Sequence, residues 1–334
     1  MATTTEKVTY SAGNGITNEL VEHGGKKGFA VFNPTSGSCT FTENLGSVLP
    51  MQDVPWLSPE MPIDYGDAYQ LFKEVRSFIF DNVELPSNDD YDVLAAWVMA
   101  GYRFMEFESF SYICAIGPPN SGKTRLIKTL WQLSYRGLFG AGLTASAMFR
   151  AINRDHVSIY LDQAEHLANS KDSADYIALV DNGYQKGGKK FLTNTDTGEY
   201  QGFDLYSPKA FASTKTLEGT VESRAIRFNM QARTRKISIK IDKVRATALR
   251  SKLILYKFKC AEANEDTEEA EAKLMSLIED GRLIELFLPL YLVTLYSSFP
   301  SGASAPSELI LQYMKSMNES RRNAEQVTIE AQNY

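Results

Sequence analysis

The chain contains segments with different spacings of apolar and polar residues, and each spacing predicts a different kind of element. Short continuous apolar runs between 110 and 232, such as Tyr112–Ile116, predict buried β-strands. The segment 124–138 has apolar residues at helical spacing, which predicts a helix. Further helices are predicted near 241–263, 267–280, 283–298 and 306–328. The sequence therefore predicts an α/β core that is followed by a helical region.

The first 62 residues have a different pattern. Gly-Gly and Asn-Pro turn signals separate short runs at 28–32 and 39–42, which predicts a small antiparallel β element. Prolines at 50, 55, 59 and 62 predict a linker, and two helices are predicted near 66–83 and 89–107. The predicted regions are a β-rich N-terminal element (1–62), a helical collar (63–109), the α/β core (110–232) and a helical lid (233–334).

One glycine-rich segment lies between the strand predicted at Tyr112–Ile116 and the helix predicted after it. Its residues are Gly117, Pro118, Pro119, Asn120, Ser121, Gly122, Lys123 and Thr124. They match the phosphate-loop pattern G-x-x-x-x-G-K-[ST] at every fixed position. Backbone N–H groups at the start of such a helix point at phosphates, Lys123 would reach the β- and γ-phosphates, and Thr124 would place its hydroxyl on Mg²⁺. ATP and Mg²⁺ are the predicted cofactors.

A second strand, predicted at 157–161, ends in Asp162, which is the acid expected to hold Mg²⁺ through water. Many such ATPases place a glutamate at the next position to activate the attacking water, but here that residue is Gln163. An amide can orient water but is not a useful proton acceptor. Three interpretations stay open: Glu165 is the substitute base, the chain hydrolyses ATP slowly, or Gln163 is an engineered replacement for glutamate.

Three further sites are candidates. The strand predicted near 208–214 ends in Ser213 and Thr214, either of which could hold the attacking water, although a strand may simply end in polar residues. Arg224 lies just before another predicted strand and could reach the γ-phosphate of a neighbouring subunit, or form a surface ion pair. Arg282 opens the predicted lid helix and could contact the nucleotide from there.

The order of these features (phosphate loop, Asp162 strand, polar-tipped strand, arginine before a strand, helical lid) resembles the AAA+ ATPases. More narrowly, it resembles helicase-like ATPases of phages, plasmids and archaea, with a layout similar to superfamily 3 and MCM replicative helicases. The resemblance covers about 66–300 and departs from the pattern at Gln163. It implies a three-layer P-loop NTPase core of the AAA+ type, a hexameric ring, and a cytoplasmic protein of a prokaryotic cell, virus or plasmid.

The segment 182–191 contains Lys186, Lys189 and Lys190 and no acidic residue. A hairpin signal, Asp196-Thr197-Gly198, follows within 192–205. In the resembled helicases an insertion at this point faces the central channel and touches DNA. The three lysines are therefore expected to contact phosphates without reading sequence, unless the segment is only a solvated loop. The aromatic residues Tyr184 and Phe191 could stack on bases, but packing in the core or the loop is the expected use of each.

Composition limits the alternatives. The 334 residues are 43% hydrophobic with a net charge of −6, which argues against extensive nonspecific wrapping of nucleic acid. Three separated cysteines suggest neither a disulfide framework nor a zinc site. The apolar stretch 283–299 is interrupted by Glu285 and Pro289, which favours a buried helix over a membrane span. The alternative function is a AAA+ protein-remodelling or signalling ATPase that does not act on nucleic acid, and a small-molecule kinase fits poorly.

Overall fold

The computed structural model of the protein describes residues 7–8, 12–13, 16–46, 49–140, 143–164, 173–193, 198–215, 220–260, 267–295 and 305–332. The strands are β1 (Lys7–Val8), β2 (Ala12–Gly13), β3 (Ile16–His23), β4 (Lys26–Asn33), β5 (Ser38–Thr42), β6 (Leu49–Pro50), β7 (Tyr112–Ile116), β8 (Gly137–Phe139), β9 (Ser158–Leu161), β10 (Lys189–Thr193), β11 (Tyr200–Asp204), β12 (Lys209–Ser213) and β13 (Ala225–Asn229). The helices are α1 (Ala68–Asn82), α2 (Asp89–Gly101), α3 (Lys123–Leu133), α4 (Ala145–Asp155), α5 (Ser173–Asn182), α6 (Thr220–Ser223), α7 (Lys243–Cys260), α8 (Thr267–Met275), α9 (Gly281–Leu295) and α10 (Pro306–Gln332).

A parallel sheet forms the centre of the molecule, and five strands in the described ranges belong to it, in the order β13-β7-β12-β9-β8. Every residue of β7 and β12 is buried, as expected for inner strands of a parallel sheet that is covered on both faces. β12 pairs with β7 on one side and with β9 on the other. The carboxyl ends of β7, β12 and β9 therefore lie side by side at one edge of the sheet. The mixed α/β architecture is consistent with a P-loop NTPase-like fold.

The helices predicted before and after the core pack on one another. α1 contacts α2, α3 and α7, while α2 contacts α9 and α10. α9 is almost entirely buried and has Pro289 in its interior, so the apolar stretch predicted as a buried helix is one as far as Leu295. In the described part of the chain, no helix combines the length and the apolar character that a membrane crossing requires.

The N-terminal segment forms the predicted antiparallel sheet, in the order β2-β3-β4-β5. The sheet packs on α7 through the stacked rings of Phe32 and Phe258, whose centroids are 5.5 Å apart. A buried carboxylate, Glu19, forms an ion pair with Arg136 and accepts hydrogen bonds from Tyr135 Oη at 2.8 Å and Lys257 Nζ at 3.0 Å. Burial raises the pKa of Glu19, but the charges of Arg136 and Lys257 outweigh burial and hold that pKa below its ordinary value.

The helix predicted over 124–138 was too long, because α3 ends at Leu133 and residues 137–139 form β8 instead. β8 pairs with β9, so a strand partner that is distant in sequence overrides the local helical spacing. The strands predicted at Tyr112–Ile116, before Asp162, near 208–214 and after Arg224 are confirmed as β7, β9, β12 and β13.

Candidate nucleotide-binding site

The glycine-rich segment forms a turn between the end of β7 and the start of α3, as its sequence predicts. Gly122 has φ +91°, a left-handed conformation that disfavours residues with a Cβ. Gly117 packs directly on the chain after β13, where a Cβ would collide with the carbonyl oxygen of Met230. Both glycines are therefore required by the backbone path that brings the turn to the first residue of α3.

Lys123 is the first residue of α3, and only 8% of it is exposed. Its Nζ donates to the carbonyl oxygen of Pro118 at 2.6 Å and lies 3.5 Å from Ser121 Oγ. The ammonium group is thus held inside the turn, where the N–H groups at the start of α3 also lie. Together they form a positively polarised concave surface of the kind that binds phosphate groups.

Thr124 and Asp162 are brought together by the parallel sheet. Asp162 directly follows β9, and its Oδ1 accepts a hydrogen bond from Thr124 Oγ1 at 3.0 Å. A second donor to the same oxygen is the backbone N–H of Gln163, at 3.1 Å. A hydroxyl beside a carboxylate, next to a phosphate-binding turn, is a set of oxygen ligands that suits Mg²⁺. The residues present therefore fit the predicted metal–nucleotide group.

Gln163 occupies an unusual backbone position for a residue with a side chain. Its φ is +56°, the residue is exposed, and its backbone N–H contacts the Asp162 carboxylate. The side chain is therefore placed at the same edge of the sheet as the turn 117–122. Glu165, the other candidate for water activation, lies outside the described residues.

The end of β12 distinguishes the two candidates for holding water. Ser213 is buried, and its Oγ donates to the carbonyl oxygen of Lys215 at 2.6 Å. The carbonyl oxygen of Ser213 accepts the N–H of Gly117 at 3.3 Å, which joins the end of β12 to the glycine-rich turn. Thr214 is exposed at the same edge. Because solvent water reaches an exposed residue and not a buried one, Thr214 is the better placed of the two.

A cavity of about 880 Å³ extends from the turn along α3. Its walls include residues that the sequence did not indicate, from the end of α1, from α3 and from the segment after β13. They are Asn82, Val83, Glu84, Arg125, Lys128, Trp131, Gln132, Arg233, Ile237, Ser238, Ile239, Ile241 and Lys243. Arg125 connects the wall formed by the end of α1 with the wall formed after β13. It donates to the carbonyl oxygens of Asn82 at 2.8 Å and Ser238 at 2.9 Å. The dense run of basic residues from 233 to 243 was the available sequence signal.

Arg224 lies at the opposite edge of the sheet from the turn. Its carbonyl oxygen accepts the N–H of Tyr112, the first residue of β7, at 2.9 Å. Its guanidinium forms an ion pair with Asp181, 3.2 Å from Nη1 to Oδ1. Because β7 separates the two edges, Arg224 does not reach the turn of its own chain. A role in catalysis therefore requires a second copy of the chain.

Arg282, which the sequence suggested as a nucleotide contact from the lid, is also placed away from the turn of its own chain. It forms an ion pair with Glu285, and its guanidinium lies 5.4 Å from the ring centroid of Tyr184. The carbonyl oxygen of Tyr184 accepts the N–H of Phe110, just before β7, at 3.0 Å. The start of α9 therefore covers the same edge as Arg224, because α9 packs on α2 rather than over the turn.

The predicted hairpin is present as β10 and β11, which pair antiparallel. Its lysines have acidic neighbours that the local sequence does not show. Lys186 lies 3.4 Å from Glu108 and Lys190 lies 2.8 Å from Asp175, while Lys189 is exposed and stands opposite Asp204 in the pairing register. The local segment has no acid, yet the fold supplies acidic neighbours from other elements.

The two aromatic residues of this region differ in exposure. Tyr184 is 1% exposed and packs against Tyr112, so packing is its use, as expected. Phe191 is 62% exposed on the outer side of β10, which contradicts the expectation that it packs. Tyr200 on β11, which the sequence analysis did not consider, is 80% exposed.

Comparisons with known proteins give little further information about the function of this site. No protein-family model and no curated protein matches the chain. Among solved structures, the chain is similar to an active helicase, "SCCmec type IV Cch", at 11% sequence identity with a TM-score of 0.42. The match covers 98% of this chain and 59% of that one, so the chain spans less than two thirds of the neighbour's length. The functional argument therefore depends on the residues of the site itself.

Proposed function

We propose that this protein is an ATPase that assembles into a ring and translocates on DNA as a helicase, in the replication of a mobile element or virus. The observation that carries the nucleotide part is the 3.0 Å contact between Thr124 Oγ1 and Asp162 Oδ1 beside a glycine-rich turn that holds Lys123. Thr124 and Asp162 are 38 positions apart, and a phosphate loop gives a direct reason for placing them together.

In the proposed reaction the amides of the turn and Lys123 bind the β- and γ-phosphates. Thr124 and Asp162 would hold Mg²⁺, which would neutralise phosphate charge when bound. Thr214 orients the attacking water from the end of β12. Gln163 can orient that water as well but is a poor proton acceptor, so Glu165 is the candidate base.

The placement of Arg224 supports a site that is shared between subunits. Its guanidinium lies at the edge of the sheet that the turn does not occupy, with 19% of its side chain exposed. In a ring, that edge of one subunit would face the turn of the next. Arg224 would then stabilise charge on the transferred phosphate in the neighbouring subunit, and Arg282 on the same edge would lie close to that interface.

The proposed DNA contact is the hairpin formed by β10 and β11. Lys189 is exposed on it, and Lys186 and Lys190 would exchange their carboxylate partners for DNA phosphates. Since such exchange replaces one ion pair by another, the lysines would contribute less affinity than unpaired cations do. The exposed aromatic rings of Phe191 and Tyr200 favour the alternative function, a remodeller that grips a polypeptide, because remodeller pores present aromatic residues.

DNA-stimulated ATP hydrolysis separates the two functions. We would measure turnover of the Gln163→Glu protein with single-stranded DNA, with double-stranded DNA and with an unfolded polypeptide, and compare it with a Lys189→Ala/Lys190→Ala form. Lys252→Ala is the matched control, since Lys252 pairs with Glu74 on α1. Translocation on DNA predicts stimulation by DNA that the double variant loses and the control keeps. Stimulation of ATP hydrolysis by the polypeptide and not by DNA would show that the protein is a remodeller and not a helicase.

A further inference from the structure

Lys209, the first residue of β12, is a fully buried cation whose acceptors are all uncharged. Its Nζ donates to the carbonyl oxygens of Gly183 at 3.1 Å, Leu205 at 3.0 Å and Ser207 at 3.1 Å. The ring centroid of Tyr112 lies 5.1 Å from the same nitrogen. Lys209 is the charged residue of a strand, KAFAS, that is buried at every position.

Such a group is costly to bury. Removal from water disfavours the ammonium form, and burial lowers the pKa of Lys209 well below its ordinary value. The three carbonyl oxygens, however, match the three N–H donors of an ammonium group, whereas a neutral amine has only two. The geometry therefore suits the charged form. An apolar side chain would fill the same space at lower cost, so the three bonds themselves are the feature to be explained.

The three acceptors bracket the hairpin. Gly183 precedes β10, and Leu205 and Ser207 follow β11. Backbone bonds close the same base, from Ser207 N to Gly183 O at 3.3 Å and from Leu205 N to Gly188 O at 3.0 Å. A Cβ at position 183 would collide with Lys209 Nζ and with the carbonyl oxygens of Leu179 and Leu205, so glycine is what fits where these three groups meet. Lys209 thus ties both ends of the hairpin to one point.

The other end of the same strand meets the phosphate loop. β12 is five residues long, buried throughout and paired on both sides, and the carbonyl oxygen of its last residue, Ser213, accepts the N–H of Gly117 at 3.3 Å. The strand therefore gives a direct connection from the Gly117 end to the hairpin, provided that the hairpin is fastened to it.

We propose that Lys209 is a positioning residue that fastens the base of the hairpin to β12 and so couples the hairpin to the nucleotide site. The inference rests on the proposed function, since it gives the hairpin the role of responding to nucleotide. Lys209 touches neither the phosphate loop nor the exposed face of the hairpin. Its loss should separate nucleotide binding from the hairpin response rather than abolish both.

Hydrogen exchange of the backbone amides measures this coupling without DNA. We would follow the loop 117–124 and the hairpin strands β10 and β11, with and without a non-hydrolysable ATP analogue and Mg²⁺. In the unmodified protein the analogue should slow exchange in both places. In Lys209→Met the loop should stay protected, while the hairpin exchanges at least about tenfold faster and no longer responds to the analogue. Lys252→Met, which removes a lysine from an ion pair on α7, should behave as the unmodified protein.

A second variant guards against a Lys209→Met protein that fails to fold. Gly183→Ala keeps the lysine but pushes the base of the hairpin away from it, and it should give the same loss of response. A hairpin that still responds to the analogue in both variants would overturn the inference. So would an unmodified protein whose loop is protected while its hairpin is not. Absence of protection in the loop itself would instead show that the proposed nucleotide binding is wrong.

Discussion

At the scale of single residues, the candidate site depends on a few side chains whose neighbours are set by the sheet. Thr124 and Asp162 share a hydrogen bond, Lys123 is held within its own turn, and Gln163 is exposed with a left-handed backbone. That Lys123, Thr124 and Asp162 lie at one place in the fold could be predicted from residue type and spacing. The hydrogen bond of the Ser213 hydroxyl within its own turn could not be predicted. The sequence pattern of a strand end does not show where a side chain points.

Replacing the acid at position 162 tests the metal site. Asp162→Asn keeps the size of the side chain and its acceptor for Thr124, but removes the charge that holds Mg²⁺. We expect Mg²⁺-dependent ATP hydrolysis to fall at least about 100-fold, with the thermal transition little changed. Asp81→Asn, which removes a surface ion-pair partner of Arg245, is the control. Hydrolysis by Asp162→Asn at the rate of the unmodified protein would contradict the assignment.

The identity of the water-activating group can be decided by two changes. Gln163→Glu places a carboxylate beside Asp162, and we expect turnover to rise by about 100-fold, the lower end of what a positioned base contributes. Glu165→Gln should lower turnover of the unmodified protein if Glu165 is the base. Steady-state ATP hydrolysis measures both. A fall in turnover in Gln163→Glu would show that the amide, and not a carboxylate, suits this position.

At the scale of elements, the sheet order decides which chain ends meet. The periodicity of the sequence predicted β7, β9, β12 and β13, but not that β12 lies between β7 and β9. That order places the carboxyl ends of three strands at the edge of the sheet that carries the glycine-rich turn. Arg224 lies at the opposite edge. Sequence spacing also failed at β8, where pairing with β9 shortened α3. Strand order depends on packing among distant segments, which local patterns do not encode.

The junction of the N-terminal sheet with the core gives a prediction about stability. Glu19→Gln leaves the buried Arg136 guanidinium without its carboxylate, and we expect a loss of about 3–5 kcal/mol in the free energy of unfolding. Urea denaturation measures it, with Glu43→Gln as the control because Glu43 is an exposed partner of Lys26. A loss below about 1 kcal/mol, as for an exposed pair, would contradict the buried network.

The stability that the Glu19 carboxylate contributes depends on pH. Because the pKa of Glu19 is lowered in the folded protein, its contribution to the free energy of unfolding is fully present above the ordinary glutamate pKa of about 4.3. This contribution is lost as the pH falls through the lower pKa that Glu19 has in the folded state. The difference in stability between the unmodified protein and Glu19→Gln should therefore shrink below about pH 4. A difference that is constant from pH 7 to pH 3 would show that the charge of Glu19 is not what stabilises the junction.

At the scale of the whole molecule, the two edges of the sheet carry complementary halves of one proposed site. The turn with Lys123 lies at one edge, and Arg224 with Arg282 lies at the other. A single copy cannot bring them together. The ring that the sequence resemblance implies would do so, and it would also gather the hairpins of several subunits around one axis.

Mixing two inactive variants tests the shared site. Lys123→Ala should lose ATP hydrolysis because its own loop cannot bind the phosphates, and Arg224→Ala should lose it while still binding nucleotide. In a mixed assembly, a Lys123→Ala subunit would supply Arg224 to the loop of an Arg224→Ala subunit. We expect the mixture to recover up to about a quarter of the unmodified turnover, as random pairing at the interfaces allows. No recovery, in a mixture shown to co-assemble, would contradict catalysis between subunits.

The sequence by itself determined the glycine-rich turn between a strand and a helix, the strand that precedes Asp162 and the alternation of strands and helices, because these depend on residue type and local spacing. Only the tertiary structure decided which strands are neighbours, which edge each arginine occupies and which acids compensate the hairpin lysines. It alone showed that Lys209 closes the base of the hairpin. These features depend on contacts between segments far apart in the chain, and such contacts leave no periodic signal in the order of residues.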